Sequence, residues 1–303
     1  MAWRERSLVA VTGSDGAEYL QGQLTNEVEA LAPGAGCYSA LLDRKGHMQA
    51  DMRVLRIAPD EIWLDLEPEA LAAASRHLTM YSVGREVAIE DRTAHTRMLS
   101  LAGPAAPELA GLAPLGVEHA HAEATVGGIG LRAVRTDLGL DLLVGVGQAD
   151  ELAAALAARG VATVETDALE ILRVESGRPR FGREMTTKTI PQEAGINERA
   201  VSFTKGCYIG QETVARLHYR GKPNRHLRGL RLSEPVPAGA TVRLGERELG
   251  RIGTAVLSPA QGPIALAILR REAEPGGTVE IDANGAGAVV EAQVVDLPFA
   301  SET

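Results

Sequence analysis

The amino-terminal part of the sequence presents one succession of segments twice. "VAVTGSDGAEYLQGQL" is echoed by "LSLAGPAAPELAGL", and "EIWLDLEPEALAAASRHL" is echoed by "GLDLLVGVGQADELAAALAARG", at an offset of about 80 to 90 residues. The first pair predicts a strand, a turn and a helix, and the second pair predicts another strand followed by a helix. This weak repeat of a small α/β unit predicts two similar lobes with a cleft between them, and such clefts commonly hold ligands.

The pattern changes from about Leu227 onwards. Short β-like runs such as "LRGLRLS" and "PIALAILRRE" alternate with Gly and Pro turns, and Asn284-Gly285 is a hairpin signal. The sequence therefore predicts a small antiparallel barrel or sandwich at the carboxyl end, joined through "RGKPNRH".

Composition excludes several classes of protein. The net charge of −9 argues against a general affinity for nucleic acid or anionic membranes. The two cysteines, Cys37 and Cys207, allow at most one bridge, so we expect a reducing, cytoplasmic location. No apolar stretch has the length of a signal peptide or a spanning helix, so no membrane association is expected.

The common cofactor and metal motifs are absent from the sequence. There is no phosphate-binding G-x-x-x-x-G-K-[ST] loop, no G-x-G-x-x-G after a strand and no C-x-x-C pair. His119 and His121 in "VEHAHAEA" could share a strand face, but a solvated loop is the favoured interpretation. No metal site is predicted.

The segment between Glu175 and Arg231 is the richest in chemically active side chains. A helix ending before Gly177 leads into a long irregular run, which is typical of a functional or a disordered loop. Its Glu184, Glu193 and Asn197 suit hydrogen bonding to a polar heterocycle, or they belong to a solvated loop.

Cys207 lies in "FTKGCYIGQET", between glycines that allow a tight turn. If the helix "GQETVARLHY" begins near Gly210, its free backbone N–H groups and the charge of Lys205 would both favour a thiolate. The alternative is a buried, inert thiol. Cys37, beside a strand, is expected to be an ordinary core residue.

The sequence from Thr213 to Ser233 contains no acidic residue. It could receive an anionic tail or a phosphate backbone, or form a solvated face between domains. Its basic residues are Arg216, Arg220, Lys222, Arg225, Arg228 and Arg231.

The string "KGCYIGQE" resembles the signature of the folate-binding YgfZ proteins. These proteins are related to the glycine-cleavage T-protein, an aminomethyltransferase, and to mitochondrial iron–sulfur assembly factors. The resemblance extends to "YLQGQLTNEV", "LLDRKGHMQADMRV", "GRPRFGREM", "IPQE" and the β-rich carboxyl end, so it covers nearly the whole chain.

The resemblance implies an α+β fold like that of the T-protein. A folate-binding α/β region over residues 1–225 would contain two pseudo-repeated lobes, roughly 1–95 and 96–225, around a central cleft. A carboxyl-terminal antiparallel β-barrel would occupy residues 226–303.

The resemblance also implies a site and a function. Cys207 and Lys205 would be the reactive residues, and tetrahydrofolate or a derivative would be the cofactor. Asp51 aligns with an acidic position near the reactive folate nitrogen, and Glu193 resembles the carboxylate that bonds the pterin ring, whose edge offers N–H donors. The residues assigned to the folate site are Asp51, Glu193, Asn197, Tyr208 and Gln211.

The implied role is the assembly or repair of iron–sulfur proteins, including tRNA-modifying enzymes, with such proteins as partners. A one-carbon transferase-like activity is compatible with it. The first alternative is a folate-dependent aminomethyltransferase, which has no need of the cysteine in "KGC". The second is a non-catalytic RNA or protein adaptor that uses the basic run over 213–233, although direct nucleic-acid binding is the less favoured expectation.

Overall fold

The computed structural model describes residues 1–283 and 289–299 and divides the chain into two compact units. The first unit contains residues 1–44, 49–166 and 199–209. The second contains residues 45–48 and 167–198 together with the carboxyl-terminal part from residue 210. The domain and lobe boundaries expected from the sequence stay a prediction. Among the described residues, no helix has the length and apolar character needed to span a membrane.

The strands and helices follow one another along the chain with short connections. The strands are β1 (Ala2–Arg4), β2 (Ser7–Thr12), β3 (Gly36–Leu42), β4 (Met48–Ala58), β5 (Glu61–Leu66), β6 (Ala88–Asp91), β7 (Thr96–Ala102), β8 (His121–Val126), β9 (Ile129–Arg135), β10 (Gly139–Gly145), β11 (Arg225–Leu232), β12 (Thr241–Leu244), β13 (Arg247–Ser258), β14 (Gly262–Arg270), β15 (Thr278–Asp282) and β16 (Val289–Val295). The α-helices are α1 (Gly16–Gln23), α2 (Pro68–Tyr81), α3 (Ala106–Ala110), α4 (Ala149–Ala157), α5 (Thr166–Glu175), α6 (Asn197–Ala200) and α7 (Gln211–Arg220).

The first unit confirms the internal repeat. One five-stranded sheet has the order β3-β4-β5-β2-β6, and the other has the order β8-β9-β10-β7-β1. Strands β2, β3, β4 and β5 therefore correspond to β7, β8, β9 and β10, and helices α1 and α2 correspond to α3 and α4. The weak similarity of the two sequence segments thus reflects two copies of one α/β arrangement.

The edge strands of the two copies are exchanged. Strand β1 precedes the first copy along the chain but pairs with β7 of the second, with Trp3 opposite Leu99. Strand β6 precedes the second copy but pairs with β2 of the first, with Ile89 opposite Val11. Each sheet is therefore completed by a strand from the other copy, which ties the two sheets into one compact unit.

Each helix of this unit buries a narrow apolar face. Helix α2 begins with Pro68, whose fixed φ suits a first helical turn, and it buries Ala70, Ala74 and Leu78 at a spacing of four residues. Helix α4 likewise buries Leu152 and Leu156 in the core of the second sheet. Small residues on these faces permit close packing against the sheets.

A buried ionic network joins the two sheets. Arg53 of β4 donates through Nε to Asp65 at 2.5 Å and through an Nη to Asp141 of β10 at 2.6 Å. Arg6 also pairs with Asp65, at 2.7 Å. Burial raises the pKa of Asp65, but the charges of Arg53 and Arg6 outweigh it and hold that pKa at about 2. The Asp65 carboxylate is therefore ionised and depends on the two arginines.

We expect Arg53→Met to lower the free energy of unfolding by about 3–5 kcal/mol, because it leaves Asp141 and Asp65 buried without their shared partner. Arg92→Met is the matched control, since Arg92 forms ion pairs with Glu61 and Glu90 that are partly exposed and should contribute less than about 1 kcal/mol. Urea unfolding measures both variants. Equal losses would contradict this assignment.

The second unit ends in a closed six-stranded antiparallel barrel, with the order β11-β14-β13-β12-β15-β16 and β11 paired to β16. Its interior is filled by alternating residues such as Leu230, Val242, Ile281 and Val294. The barrel confirms the fold class expected for the carboxyl end. The hairpin signal Asn284-Gly285 lies outside the described residues.

Candidate functional site: the Asp51 carboxyl and the Lys205–Cys207 loop

Asp51 carries a buried carboxyl group that is only partly satisfied. It lies in β4, and its Oδ2 accepts a hydrogen bond of 2.6 Å from the hydroxyl of Tyr38 in the neighbouring strand β3. No donor within the described part of the chain reaches its buried Oδ1. Burial, reinforced by the charge of Glu67, raises the pKa of Asp51 to about 6. This oxygen is available to a polar group of a ligand.

Tyr38 and Arg199 complete the surroundings of this carboxyl group. The guanidinium group of Arg199 lies 5.2 Å from the centroid of the Tyr38 ring, within the range of a cation–π interaction. Arg199 also pairs with Glu118 at 2.5 Å. Burial raises the pKa of Tyr38, as do the charge of Asp51 and its hydrogen bond, so the hydroxyl remains a donor. We call Asp51, Tyr38 and Arg199 the Asp51 cluster.

Asn26 fixes the backbone of this cluster. Its amide nitrogen donates to the carbonyl oxygens of Tyr38, at 2.8 Å, and of Arg199, at 2.9 Å. Thr25 adds a hydrogen bond of 2.5 Å to the carbonyl oxygen of Ala200. The segment after α1 therefore holds β3 and the residues around Arg199 together.

Lys205 is bound to the same segment. Its buried ammonium group donates to three carbonyl oxygens, those of Gln21 at 2.6 Å, Leu24 at 2.8 Å and Asn26 at 2.8 Å. Carbonyl groups at a helix carboxyl end lack intrahelical partners and attract cations, and α1 ends at Gln23. Burial lowers the pKa of Lys205 to about 8, while the charge of Glu27 and the three acceptors favour the ammonium form.

Cys207 is exposed, two residues beyond this anchor. The lysine therefore positions the loop that carries the thiol. The sequence also predicted that the amino end of a helix would favour the thiolate. Helix α7 begins at Gln211 after Gly210, in the second unit, whereas Cys207 belongs to the first. The effect of that helix on the thiol stays a prediction.

The other cysteine differs in its surroundings. Cys37 lies half-buried in β3, and its Sγ donates to the carbonyl oxygen of Glu27 at 3.5 Å. Burial raises the pKa of Cys37 to about 12, although the charge of Lys205 opposes this. A thiol in this state is a poor nucleophile. Cys207 is thus the better placed of the two to react with another molecule.

Tyr208, expected among the folate contacts, is buried directly after Cys207. The ammonium group of Lys205 lies 5.3 Å from the centroid of its ring. Burial raises the pKa of Tyr208 to about 12, so its hydroxyl is protonated. The buried ring anchors one side of Cys207 and the lysine anchors the other.

The remaining residues assigned from the sequence lie in the second unit. Glu193 is half-buried, its Oε2 accepts a long hydrogen bond of 3.4 Å from the amide of Ile190, and burial raises its pKa. Asn197 begins α6 and Gln211 begins α7, and both are half-buried. Their contacts with a ligand stay a prediction.

Glu184 is a structural residue of the second unit. Its Oε2 accepts hydrogen bonds from Arg173 and from the amide of Arg180, each at 3.0 Å. Arg173 also donates to Thr254 of the barrel at 2.8 Å. The glutamate therefore joins the irregular loop to α5 and β13.

The expectation that His119 and His121 lie in a solvated loop is wrong, because both are buried. Arg132 donates to Nδ1 of His121, and Nε2 of the same histidine faces the carbonyl oxygen of Ala35. The imidazole ring of His121 is therefore held in place as a structural group. His119 has a φ of 70°, in the left-handed region, and its buried Nδ1 has no hydrogen-bond partner among the described residues. Burial and the charges of Arg53 and Arg199 lower its pKa to about 3, so it is neutral.

Sequence reasoning missed Tyr38, Asn26 and Arg199. Asn26 stands in "YLQGQLTNEV", a segment that the family resemblance includes without assigning a role to this asparagine. Tyr38 follows Cys37, which is expected to be an ordinary core residue, in β3. The turn residues "DRKG" between β3 and β4 could have placed Tyr38 on the strand next to Asp51. Nothing local points to Arg199, whose bond with Asn26 spans 173 residues.

Comparisons with known proteins agree with this architecture. Residues 6–205 match the GCVT N-terminal domain, and residues 225–300 match the glycine cleavage T-protein C-terminal barrel domain. The crystal structure of glycine cleavage system aminomethyltransferase T from Bartonella henselae is similar with a TM-score of 0.86 at 24% identity, over 99% of this chain and 85% of that chain. The two chains share a fold.

Two relatives are similar in sequence over most of the chain. An Arabidopsis thaliana protein named "Putative transferase At1g60990, chloroplastic" is 28% identical over 295 residues, which cover 93% of this chain and 68% of the relative. The aminomethyltransferase of Thermus thermophilus is 29% identical over 303 residues, covering 95% of this chain and 83% of the relative. With both domain matches, the chain belongs to the glycine cleavage T-protein family.

Proposed function

We propose that this protein binds tetrahydrofolate or a derivative and assists the assembly or repair of iron–sulfur proteins through Cys207, as the resemblance to YgfZ proteins implies. The observation that carries the proposal is the hydrogen-bonded connection within the first unit. Lys205 binds Asn26, Asn26 binds the backbone of Tyr38, and the Tyr38 hydroxyl binds Asp51. The loop that carries the exposed thiol and the strand that carries the partly satisfied carboxyl group are thus connected by hydrogen bonds.

The Asp51 cluster fits a nitrogen heterocycle such as that of folate. A buried oxygen without a partner carries a desolvation cost that a ligand donor would relieve. With a pKa of about 6, Asp51 is mostly ionised at neutral pH and can accept a hydrogen bond or a proton from a nitrogen. When bound, tetrahydrofolate supplies a carrier for one-carbon units. Asp51 would bind and orient it, with Tyr38 fixing the carboxyl group.

The further folate contacts that we propose are Glu193, Asn197, Gln211 and Tyr208. A carboxylate at Glu193 suits the N–H donors of a pterin edge, and the amides of Asn197 and Gln211 can donate or accept. The raised pKa of Glu193 reflects burial, which a ligand donor would offset. These assignments rest on the resemblance.

Cys207 would provide the chemistry directed at other proteins. An exposed thiol can bind iron transiently, accept a one-carbon unit or meet a cysteine of a client protein. Its place on a loop anchored by Lys205 and Tyr208 keeps it accessible in a fixed position. Iron–sulfur proteins, including tRNA-modifying enzymes, are the proposed partners, in the cytoplasm.

An aminomethyltransferase activity is the second candidate, because relatives of similar length carry that name. The cysteine motif argues for the first candidate, since transfer of an aminomethyl group does not require a thiol at this position. The two candidates share the folate site and differ in their need for Cys207.

Replacement of Cys207 by serine is expected to abolish rescue of an iron–sulfur-deficient strain, because the hydroxyl group is a poor ligand and nucleophile at neutral pH. Cys37→Ser is the matched control and should rescue growth, since the Cys37 thiol is held protonated. The readouts are growth and the activity of an iron–sulfur enzyme.

Full rescue by Cys207→Ser would remove the reason for preferring the iron–sulfur role. Titration of the purified protein with tetrahydrofolate tests the cofactor separately. No binding, together with an Asp51→Ala variant that behaves like the wild type, would contradict both folate-dependent candidates.

A further inference from the structure

Exposed basic side chains cluster around one end of the barrel in the second unit. Arg220 ends α7, Lys222 follows it, and Arg225 begins β11. Arg270 ends β14 opposite Arg225, and the amide of Arg271 donates to the carbonyl oxygen of Asn224 at 2.9 Å. We call these five exposed side chains the cationic patch.

The patch is not neutralised by the described part of the chain. None of its five side chains forms an ion pair there, whereas Arg216 pairs with Glu212 and Arg247 pairs with Glu272. The charge of Arg225 acts to lower the pKa of Glu193, against the larger effect of burial, but the two side chains form no ion pair among the described residues. The patch therefore retains its positive charge on a protein whose net charge is −9.

The barrel places two of these cations where they repel each other. Arg225 and Arg270 are directly opposite on antiparallel strands, so their side chains share one face. Like charges in this position destabilise a sheet. An anion that binds both guanidinium groups would remove the repulsion. Four of the five residues are arginine, which binds phosphate in a bidentate manner.

An exposed aromatic ring adjoins the patch. Tyr219 immediately precedes Arg220, is 67% exposed, and lies edge-on to the ring of His218 with ring centroids 4.8 Å apart. Aromatic rings beside a cationic surface are typical of proteins that bind single-stranded nucleic acid, because bases stack on the ring while phosphates meet the cations. An acidic protein would bind the cationic side chains but would not stack on the Tyr219 ring.

We propose that the cationic patch and Tyr219 form a binding surface for single-stranded nucleic acid. The overall acidity of the chain, which made such binding the less favoured expectation, does not oppose a local interaction, because charges beyond about 10 Å are screened at 0.1 M salt. The surface shares no residue with the proposed folate and cysteine sites.

Fluorescence anisotropy with labelled 12-mers of uridine and of deoxythymidine tests this proposal on the full chain. We expect affinity to fall with salt, with a log–log slope of about −2 to −3, because about four phosphates are neutralised at roughly 0.7 per contact on a single strand. Comparison of the two oligomers shows whether RNA or DNA is preferred.

The double variant Lys222→Glu/Arg270→Glu should bind at least about tenfold more weakly and show a slope smaller by about 1 to 2. The fold should survive, since a glutamate at position 270 faces Arg225 with opposite charge. Arg76→Glu/Arg85→Glu changes the net charge equally, on exposed residues of the first unit, and should retain most of the binding.

Tyr219→Ala should weaken binding by about tenfold and Tyr219→Phe should not, because stacking needs the ring and not the hydroxyl group. The proposal is overturned if the wild type does not bind either oligomer at 50 mM salt, or if both double variants lose affinity equally. It is also overturned if an acidic peptide of equal charge binds as tightly and Tyr219→Ala has no effect, which would assign the surface to an acidic protein.

Discussion

The Lys205→Met variant is expected to lose about 3 kcal/mol of the free energy of unfolding. Methionine fills the space of the lysine stem but offers no donor to the carbonyl oxygens of Gln21, Leu24 and Asn26. Hydrogen bonds to charged groups contribute roughly 1.5–3 kcal/mol each, and the cost of burying the ammonium group offsets part of their sum. Urea unfolding of the two purified proteins measures the difference.

Lys188→Met is the control, because Lys188 is exposed and should change stability by less than about 0.5 kcal/mol. Lys205→Arg should lie between the two, since a planar guanidinium group cannot direct three donors in the way an ammonium group does. If the Lys205→Met variant kept the stability of the wild type but no longer rescued an iron–sulfur-deficient strain, the lysine would be a reactive residue and not an anchor.

Asp51→Asn is expected to change stability and ligand affinity in opposite directions. Asparagine keeps an oxygen for the Tyr38 hydroxyl but carries no charge near Glu67, so the free protein should gain about 2 kcal/mol at pH 7. Affinity for tetrahydrofolate should fall by about ten- to a hundredfold, because a charged acceptor is lost. Unfolding and isothermal titration measure the two effects.

The stability gain should depend on pH in a defined direction. The pKa of Asp51 is about 6 in the folded protein and near its ordinary value of 3.8 when unfolded, so the folded state holds more protons between these values. The wild type therefore loses stability relative to the variant as pH rises from about 4 to 6. Above that range the difference between the two free energies of unfolding stays constant. A gap of the same size at pH 4 and pH 7 would contradict the assignment.

The opposite signs of the two effects distinguish a binding role from a structural one. If the charge of Asp51 only supported the fold, its removal would lower the free energy of unfolding of the protein. If Asp51→Asn destabilised the free protein and left affinity unchanged, the carboxyl group would be part of the buried ionic framework around Arg6 and Glu67.

The repeated α/β arrangement and the carboxyl-terminal barrel could be predicted, because both depend on local periodicity and turn residues. The exchange of β1 and β6 could not. These strands contain three and four residues, too few to show a pattern, and their partners are chosen by sheet edges that form only in the folded chain.

The candidate site was predictable where a motif carried it and not where tertiary contacts built it. "KGCYIGQE" directed attention to Cys207 and Lys205, but the three carbonyl acceptors of the lysine come from residues about 180 positions away. Histidines in a polar segment are expected in solvent, yet His119 is buried because its segment packs against Gly36 of β3, where an added Cβ would lie 2.8 Å from the carbonyl oxygen of His119.

The exchanged edge strands also determine the order in which the chain can fold during synthesis. Strand β1 leaves the ribosome well before its partner β7, which is complete only at Ala102. Until then β1 has no place in a sheet, and β2 has an open edge until β6 emerges. An unpaired edge invites association with another chain. The first unit resembles a strand-swapped dimer fused into one polypeptide, and the nascent chain is exposed to intermolecular pairing until its second copy is made.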